Sequence, residues 1–329
     1  MHWKKFLLGL ALASAILFLL LRRVDPQAVW LALRAADWPW LAVVTALGCG
    51  SIFLKGERWA VAIAGRTGER PRRRLFAASM IGTAANMLLP ARLGDVLRAL
   101  VLRKHNAIPT TRALLASWSS QAFDVLAVVI LMLAGAASHP GLASRRVLLL
   151  VFAAVVAGGI IAALFARRPE GLLRWIARIP GALGAKASGL ARHALDGLRF
   201  LGEPAVLLTV VLFTIAIWTL DVTGIWLALR AFHIDVGLPG AALLVAAIGL
   251  SFALPLTPGN VGTYQLIAVF VLGRFGVERD PAFAFGLGFQ AYALVTTVGL
   301  GAAFFQREGL SLATLSAAPL PPQSPPQAP

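Results

Sequence analysis

Two short stretches of this 329-residue chain set polar and ionisable side chains between long apolar runs. The first reads Asn86-Met-Leu-Leu-Pro90-Ala-Arg92-Leu-Gly94-Asp95-Val-Leu-Arg98. Arg92, Asp95 and Arg98 recur at every third position, so on a helix that restarts after Pro90 they share a face. Such a face can bind the phosphate or hydroxyl groups of a lipid head, or it can cap and anchor the helix at an interface. The second stretch reads Pro258-Gly259-Asn260-Val-Gly262-Thr-Tyr-Gln265. A helix starting after Gly94 or after Gly262 would present free amides and about half a positive charge, which suits a phosphate. The candidate substrate-binding set is therefore Asn86, Pro90, Arg92, Gly94, Asp95, Arg98, Pro258, Gly259, Asn260, Gly262 and Gln265.

Three further polar residues fall inside apolar surroundings. Asp221 sits mid-span in Trp218-Thr-Leu-Asp-Val-Thr-Gly, where a charged carboxylate costs at least about 2.5 kcal/mol and needs a proton or a partner. It is either a proton-coupling group or is buried against an arginine such as Arg98. Asp124 reads as an interhelix polar contact, and Gln290 joins these two as a buried polar or proton-coupling candidate. Asn86 is read either as a site residue or as an amide that joins helices. The five histidines are dispersed and Cys49 is the single cysteine, so no metal site is expected. No Walker A sequence, dinucleotide fingerprint, His-Glu-x-x-His or nucleophile elbow occurs. The expectation is that the chain is no enzyme and carries no cofactor.

The elements that must hold these residues follow from composition. Apolar and aromatic residues make up 59% of the chain and charged residues 13%, with a mean hydropathy of +0.80. Leu7 to Leu21, Leu41 to Leu54, Val125 to Ala137, Val147 to Phe165, Val206 to Leu229 and Phe283 to Phe305 approach or exceed the roughly 17–25 residues that cross a bilayer. This is an all-α integral membrane protein with about six full transmembrane helices, and the first reads as an uncleaved helix. The formal charge of +16 is assigned to span ends that meet anionic lipid, and no nucleic acid partner is expected. Lys55, Arg58, Arg66, Arg70, Arg72, Arg73 and Arg74 form the densest short-loop cluster and are placed in the cytoplasm. Both termini are then cytoplasmic, in a cell inner membrane. Trp38, Trp40 and Trp59 read as aromatic belt residues.

The membrane domain is expected over 1–311, with a first repeat at about 1–137, a second at about 147–306 and an amphipathic cytoplasmic connector at about 169–202. Residues 312–329, rich in Ala, Pro, Ser and Gln and without charge, are expected to be disordered. The two polar stretches sit in opposite halves, each after an apolar run too short to cross alone. Non-helical backbone at membrane depth survives only inside protein or beside a water-filled cavity. Two such breaks in corresponding halves point to a transporter's central site. The topology makes them two re-entrant hairpins, Leu75 to about Leu102 and Ala241 to about Leu272, in an inverted repeat.

These strings, with Arg58-Trp59, resemble the lysylphosphatidylglycerol synthase transmembrane-domain family, also described as flippase-like. The resemblance implies a lipid flippase, and the Gly-Asn-Val-Gly-Thr-Tyr-Gln string resembles the family's hopanoid-biosynthesis branch. In the family's bifunctional members a cytoplasmic aminoacyltransferase domain follows; none is read here, so lipid synthesis is not expected. Gln265 stands where the family commonly has a glutamate, Gln290 in a stretch that commonly carries arginine, and Ser120-Gln121 where a charged pair precedes Asp124. Uncharged amides cannot neutralise a cationic head, which argues against an aminoacylated lipid. The leading reading is a transporter of an amphiphilic phospholipid, isoprenoid or hopanoid lipid. The alternatives are a membrane-bound transferase on polyprenyl-linked substrates and a scaffold partnering lipid-biosynthesis enzymes.

Overall fold

The computed structural model describes residues 25–64, 72–88, 93–106, 110–138, 203–253 and 257–309, with short helical pieces between 146 and 158. Pro90 and Arg92, the expected span Leu7 to Leu21, the connector at 169–202 and the tail at 312–329 lie outside the described residues, as does most of Val147 to Phe165.

Among the described residues the chain is helical throughout, with no strand. The helices are α1 (Pro26–Ala35), α2 (Trp38–Ala64), α3 (Arg72–Leu88), α4 (Leu93–Asn106), α5 (Thr110–Ser138), α6 (Pro204–Ala231), α7 (Gly237–Ala253), α8 (Thr263–Gly273) and α9 (Arg279–Arg307). Local sequence sets their ends. The Asp25 carboxylate accepts from the amide of Gln27 at 2.9 Å while Pro26 occupies the first helical position, and Pro204 does the same for α6. Among the described residues three helices are long and apolar enough to cross a membrane: Trp38–Ile63, Pro204–Ala231 and Arg279–Arg307. On α6, Leu208, Leu212 and Ile215 are 59%, 57% and 59% exposed. An outward face this apolar is what a protein presents to lipid.

Packing follows from a set of antiparallel pairs. The amide of Asp37 donates to the carbonyl of Ala231 at 2.8 Å, and Lys55 meets Asp221 further along, so α2 and α6 run side by side in opposite directions. α3 packs back on α2, where a Cβ on Gly56 would lie 3.0 Å from the Ser79 hydroxyl, and α7 packs back on α6, where a Cβ on Gly249 would lie 3.1 Å from the Trp218 ring. It follows that α3 and α7 also point in opposite directions. Among the described residues two large buried apolar clusters result, beside a small one of Val29, Phe283 and Ala284. One gathers Trp59, Leu75, Ile81, Ala99 and Val210 from α2, α3, α4 and α6. The other gathers Leu41, Leu229, Leu244, Leu272 and Phe285 from α2 and α6 to α9.

The structure corrects three expectations at α2. Lys55 and Arg58 do not belong to a loop; both lie inside a continuous helix, and Arg58 is buried. Trp59 is no belt residue, being 1% exposed. The physical reason is that acidic partners on neighbouring helices make burial of these cations affordable in free energy.

Candidate functional site

The first break is a tight helical hairpin. Gly94, in the first turn of α4, faces Gly82 of α3 so closely that a Cβ on Gly94 would overlap the Gly82 carbonyl oxygen and stand 2.6 Å from the amide nitrogen of Asn86. This approach brings the polar residues together. Asn86 Nδ2 donates to Asp95 Oδ1 at 3.2 Å, and Gln121 Nε2 of α5 donates to Asp95 Oδ2 at 3.0 Å. Arg98 lies 3.7 Å from Asp95 Oδ1 and donates to the Ser117 hydroxyl. Its guanidinium also stacks over the Trp59 ring, 4.6 Å from the centroid.

The second break turns on left-handed backbone. Gly259, Asn260 and Gly262 have φ of 61°, 55° and 81°, values that glycine and asparagine tolerate and most residues do not. The amide of Gly262 donates to Gln265 Oε1 at 2.7 Å, a side-chain cap for α8. Gln265 Nε2 donates to Gln290 Oε1 at 2.6 Å and to the Gly286 carbonyl at 3.3 Å. Gln290 Nε2 in turn donates to the Gly259 carbonyl at 2.7 Å. Asn260 Nδ2 donates to the Ser251 hydroxyl at 3.3 Å, and the Thr257 and Thr263 hydroxyls pair at 3.1 Å.

The two breaks meet. The Met87 carbonyl oxygen of the first lies 3.2 Å from where a Cβ on Gly259 of the second would stand. Beside this seam is a cavity of about 240 Å³, walled by α2, α3, α6, α7, α8 and α9. Its polar lining includes Thr45, Asp221, Gln290 and Tyr292, and both Met87 and Gly259 reach it.

Two ion pairs brace the helices around the cavity. Arg58 holds Asp124 with both terminal nitrogens, at 2.9 and 2.7 Å, and donates to the Thr214 hydroxyl at 2.9 Å. The indole N–H of Trp218 also donates to Asp124, at 3.1 Å. Lys55 meets Asp221 at 3.0 Å. The partner of Asp221 is thus Lys55 and not Arg98, which the hairpin directs to Asp95 and Trp59 instead.

Of the anticipated residues, Gly259, Gln290 and Asp221 line the cavity. Asn86, Gly94, Asp95 and Arg98 form one polar group at the first break, and Pro258, Asn260, Gly262 and Gln265 belong to the second. Asp124 stands apart, between α2, α5 and α6. Lys55, Thr45 and Tyr292 were not anticipated as site residues. A signal for Lys55 was present: two cations, Lys55 and Arg58, near the end of an apolar run, with two acids in apolar surroundings, Asp124 and Asp221, elsewhere in the chain.

One family model matches residues 6–301 of the chain. The chain belongs to the lysylphosphatidylglycerol synthase TM region family. Family membership makes it a membrane protein. Among its relatives, glycosyltransferase AglD of Haloferax volcanii is 27% identical over 315 residues, covering 84% of this chain and 50% of that protein. A UPF0104 membrane protein of Methanothermobacter thermautotrophicus is 23% identical over 311 residues, covering 89% of this chain and 91% of that one. The chain thus spans about half the length of the glycosyltransferase it matches and nearly all of the second relative. No solved structure matches. The expectation of a non-enzyme is overturned here, because a relative matched along most of the chain is named a glycosyltransferase.

Proposed function

We propose that the chain moves an amphiphilic lipid, a phospholipid or an isoprenoid or hopanoid lipid, between the leaflets of the cell inner membrane. The observation that carries this reading is the meeting of two broken hairpins, Met87 against Gly259, beside a largely apolar cavity that also presents Thr45, Asp221, Gln290 and Tyr292. The arms are short for spans: α4 has 14 residues and α8 has 11, and α3 and α7, with 17 each, stand at the lower end of the roughly 17–25 that cross a bilayer. In this reading the hairpins are re-entrant and form an inverted repeat, with both termini cytoplasmic, and access alternates as one repeat rocks against the other. In the same reading Arg92 and Arg98 contact the phosphate or hydroxyl groups of the head. The test is leaflet translocation of labelled phospholipid and isoprenoid lipid in vesicles holding the purified chain, beside Arg92→Ala and Gln265→Ala. Translocation by the unsubstituted protein and its loss in both folded variants supports the reading; no movement of any lipid by the unsubstituted protein overturns it.

A second reading is favoured by the named relative: the chain serves a glycosyltransferase reaction at the membrane, binding the lipid that gives or takes the sugar. Sugar transfer to a lipid acceptor by the purified chain, without leaflet movement, would select it.

A further inference from the structure

The cavity beside the seam has a selective wall. Among the described residues of its lining Asp221 is the one acidic or basic side chain, and it pairs with Lys55 at 3.0 Å. Around it stand the Thr45 and Tyr292 hydroxyls, 2.8 Å apart, and the Gln290 carboxamide. The remaining lining is largely apolar, with Ile52, Ile225, Ile248 and Phe289 among it. At about 240 Å³ the chamber has room for a small head group.

We infer that this chamber receives an uncharged, hydroxyl-rich head, of the polyol or sugar kind, carried on a single apolar chain. A phosphate head would face the Asp221 carboxylate, and the nearest cation is already engaged by it. An ammonium head would have to compete with Lys55 for the same oxygens. Hydroxyl groups meet neither cost: they donate to a carboxylate and both donate to and accept from hydroxyls and amides. The inference rests on the transport reading and adds to it the class of head that passes the seam.

The chain carries its own reporter. Cys49, the single cysteine, lines the same chamber on α2, one turn from Thr45. The experiment measures alkylation of Cys49 by a small neutral maleimide in the full chain, held in phosphatidylcholine nanodiscs. Octyl glucoside, octyl phosphate and octyltrimethylammonium are added at equal mole fraction. The glucoside is expected to slow labelling about tenfold, and the two charged amphiphiles less than about twofold. Tyr292→Phe should relieve that protection, read as the ratio of its labelling rates with and without the glucoside. Equal protection by all three heads, stronger protection by either charged head, or no protection by any overturns the inference, and the unsubstituted chain alone decides it. Protection without leaflet translocation overturns the transport reading and keeps the chamber; translocation without protection does the reverse.

Discussion

Gln265 and Gln290 are joined by a 2.6 Å hydrogen bond that ties the second break to α9. The bond is the middle link of a chain that runs from the Gly262 amide through both carboxamides to the Gly259 carbonyl. Two uncharged side chains thereby satisfy backbone groups that a broken helix leaves without helical partners.

Removing either amide leaves partners buried and unpaired. Gln265→Leu should cost about 1–3 kcal/mol for the stranded Gly262 amide and Gln290 oxygen. Gln290→Leu should cost a similar amount. The double variant should cost less than the sum by about 0.5–3 kcal/mol, the coupling of groups in one network. Thermal unfolding of the four proteins in one detergent measures this, and strict additivity would show that the two amides act independently.

Glycine at position 94 is a matter of space. A Cβ there meets the Gly82 carbonyl and the Asn86 amide, both backbone atoms that cannot move aside. Gly94→Ala should therefore destabilise the hairpin by about 1–3 kcal/mol or more. Gly299→Ala, on α9 where a Cβ meets nothing within 4 Å, should be neutral or stabilise by up to about 1 kcal/mol. Comparing their unfolding temperatures separates the two, and a tolerated Gly94→Ala would mean that the hairpin opens.

The sequence was informative about these breaks because proline and glycine act locally. Leu-Pro stops and the glycines after them mark where a helix ends whatever surrounds it, so the two interruptions and their pairing in opposite halves were legible. Partners were not. Lys55 and Arg58 look like loop cations in a linear reading, and only the packing of α2 against α5 and α6 brings them to Asp221 and Asp124. Trp59 fails in the same way: an aromatic at the end of an apolar run reads as a belt residue until α4 lays Arg98 over it. The seam between Met87 and Gly259 joins residues 172 positions apart in the chain, a distance no local pattern reports.

The two ion pairs on α2 should respond differently to truncation. The Arg58 side chain is 4% exposed and makes a two-pronged contact, whereas the Lys55 side chain is 36% exposed. Asp124→Ala strands a buried guanidinium and should cost about 3–5 kcal/mol. Asp221→Ala leaves a flexible lysine whose ammonium can swing toward a polar region, and should cost no more than about 1 kcal/mol. Chemical denaturation of both variants beside the unsubstituted chain checks the order. Equal losses would show that Lys55 is held as tightly as Arg58.

Arg98 tests whether planarity or charge matters at the first break. Its guanidinium stacks on Trp59 while bonding Ser117 and lying beside Asp95, a combination of flat face and in-plane donors. Lysine keeps the charge but has a compact ammonium that cannot stack and donate at once. Arg98→Lys should therefore lose most of what Arg98→Ala loses, about 1–2 kcal/mol from the ring contact alone. Trp59→Phe should weaken the same contact with the guanidinium kept, because phenylalanine is the poorer partner for a cation. If charge alone held the hairpin, Arg98→Lys would unfold with the unsubstituted protein and Trp59→Phe would have no effect beyond its lost volume. Intrinsic tryptophan emission during unfolding, measured for all three variants, distinguishes the two outcomes.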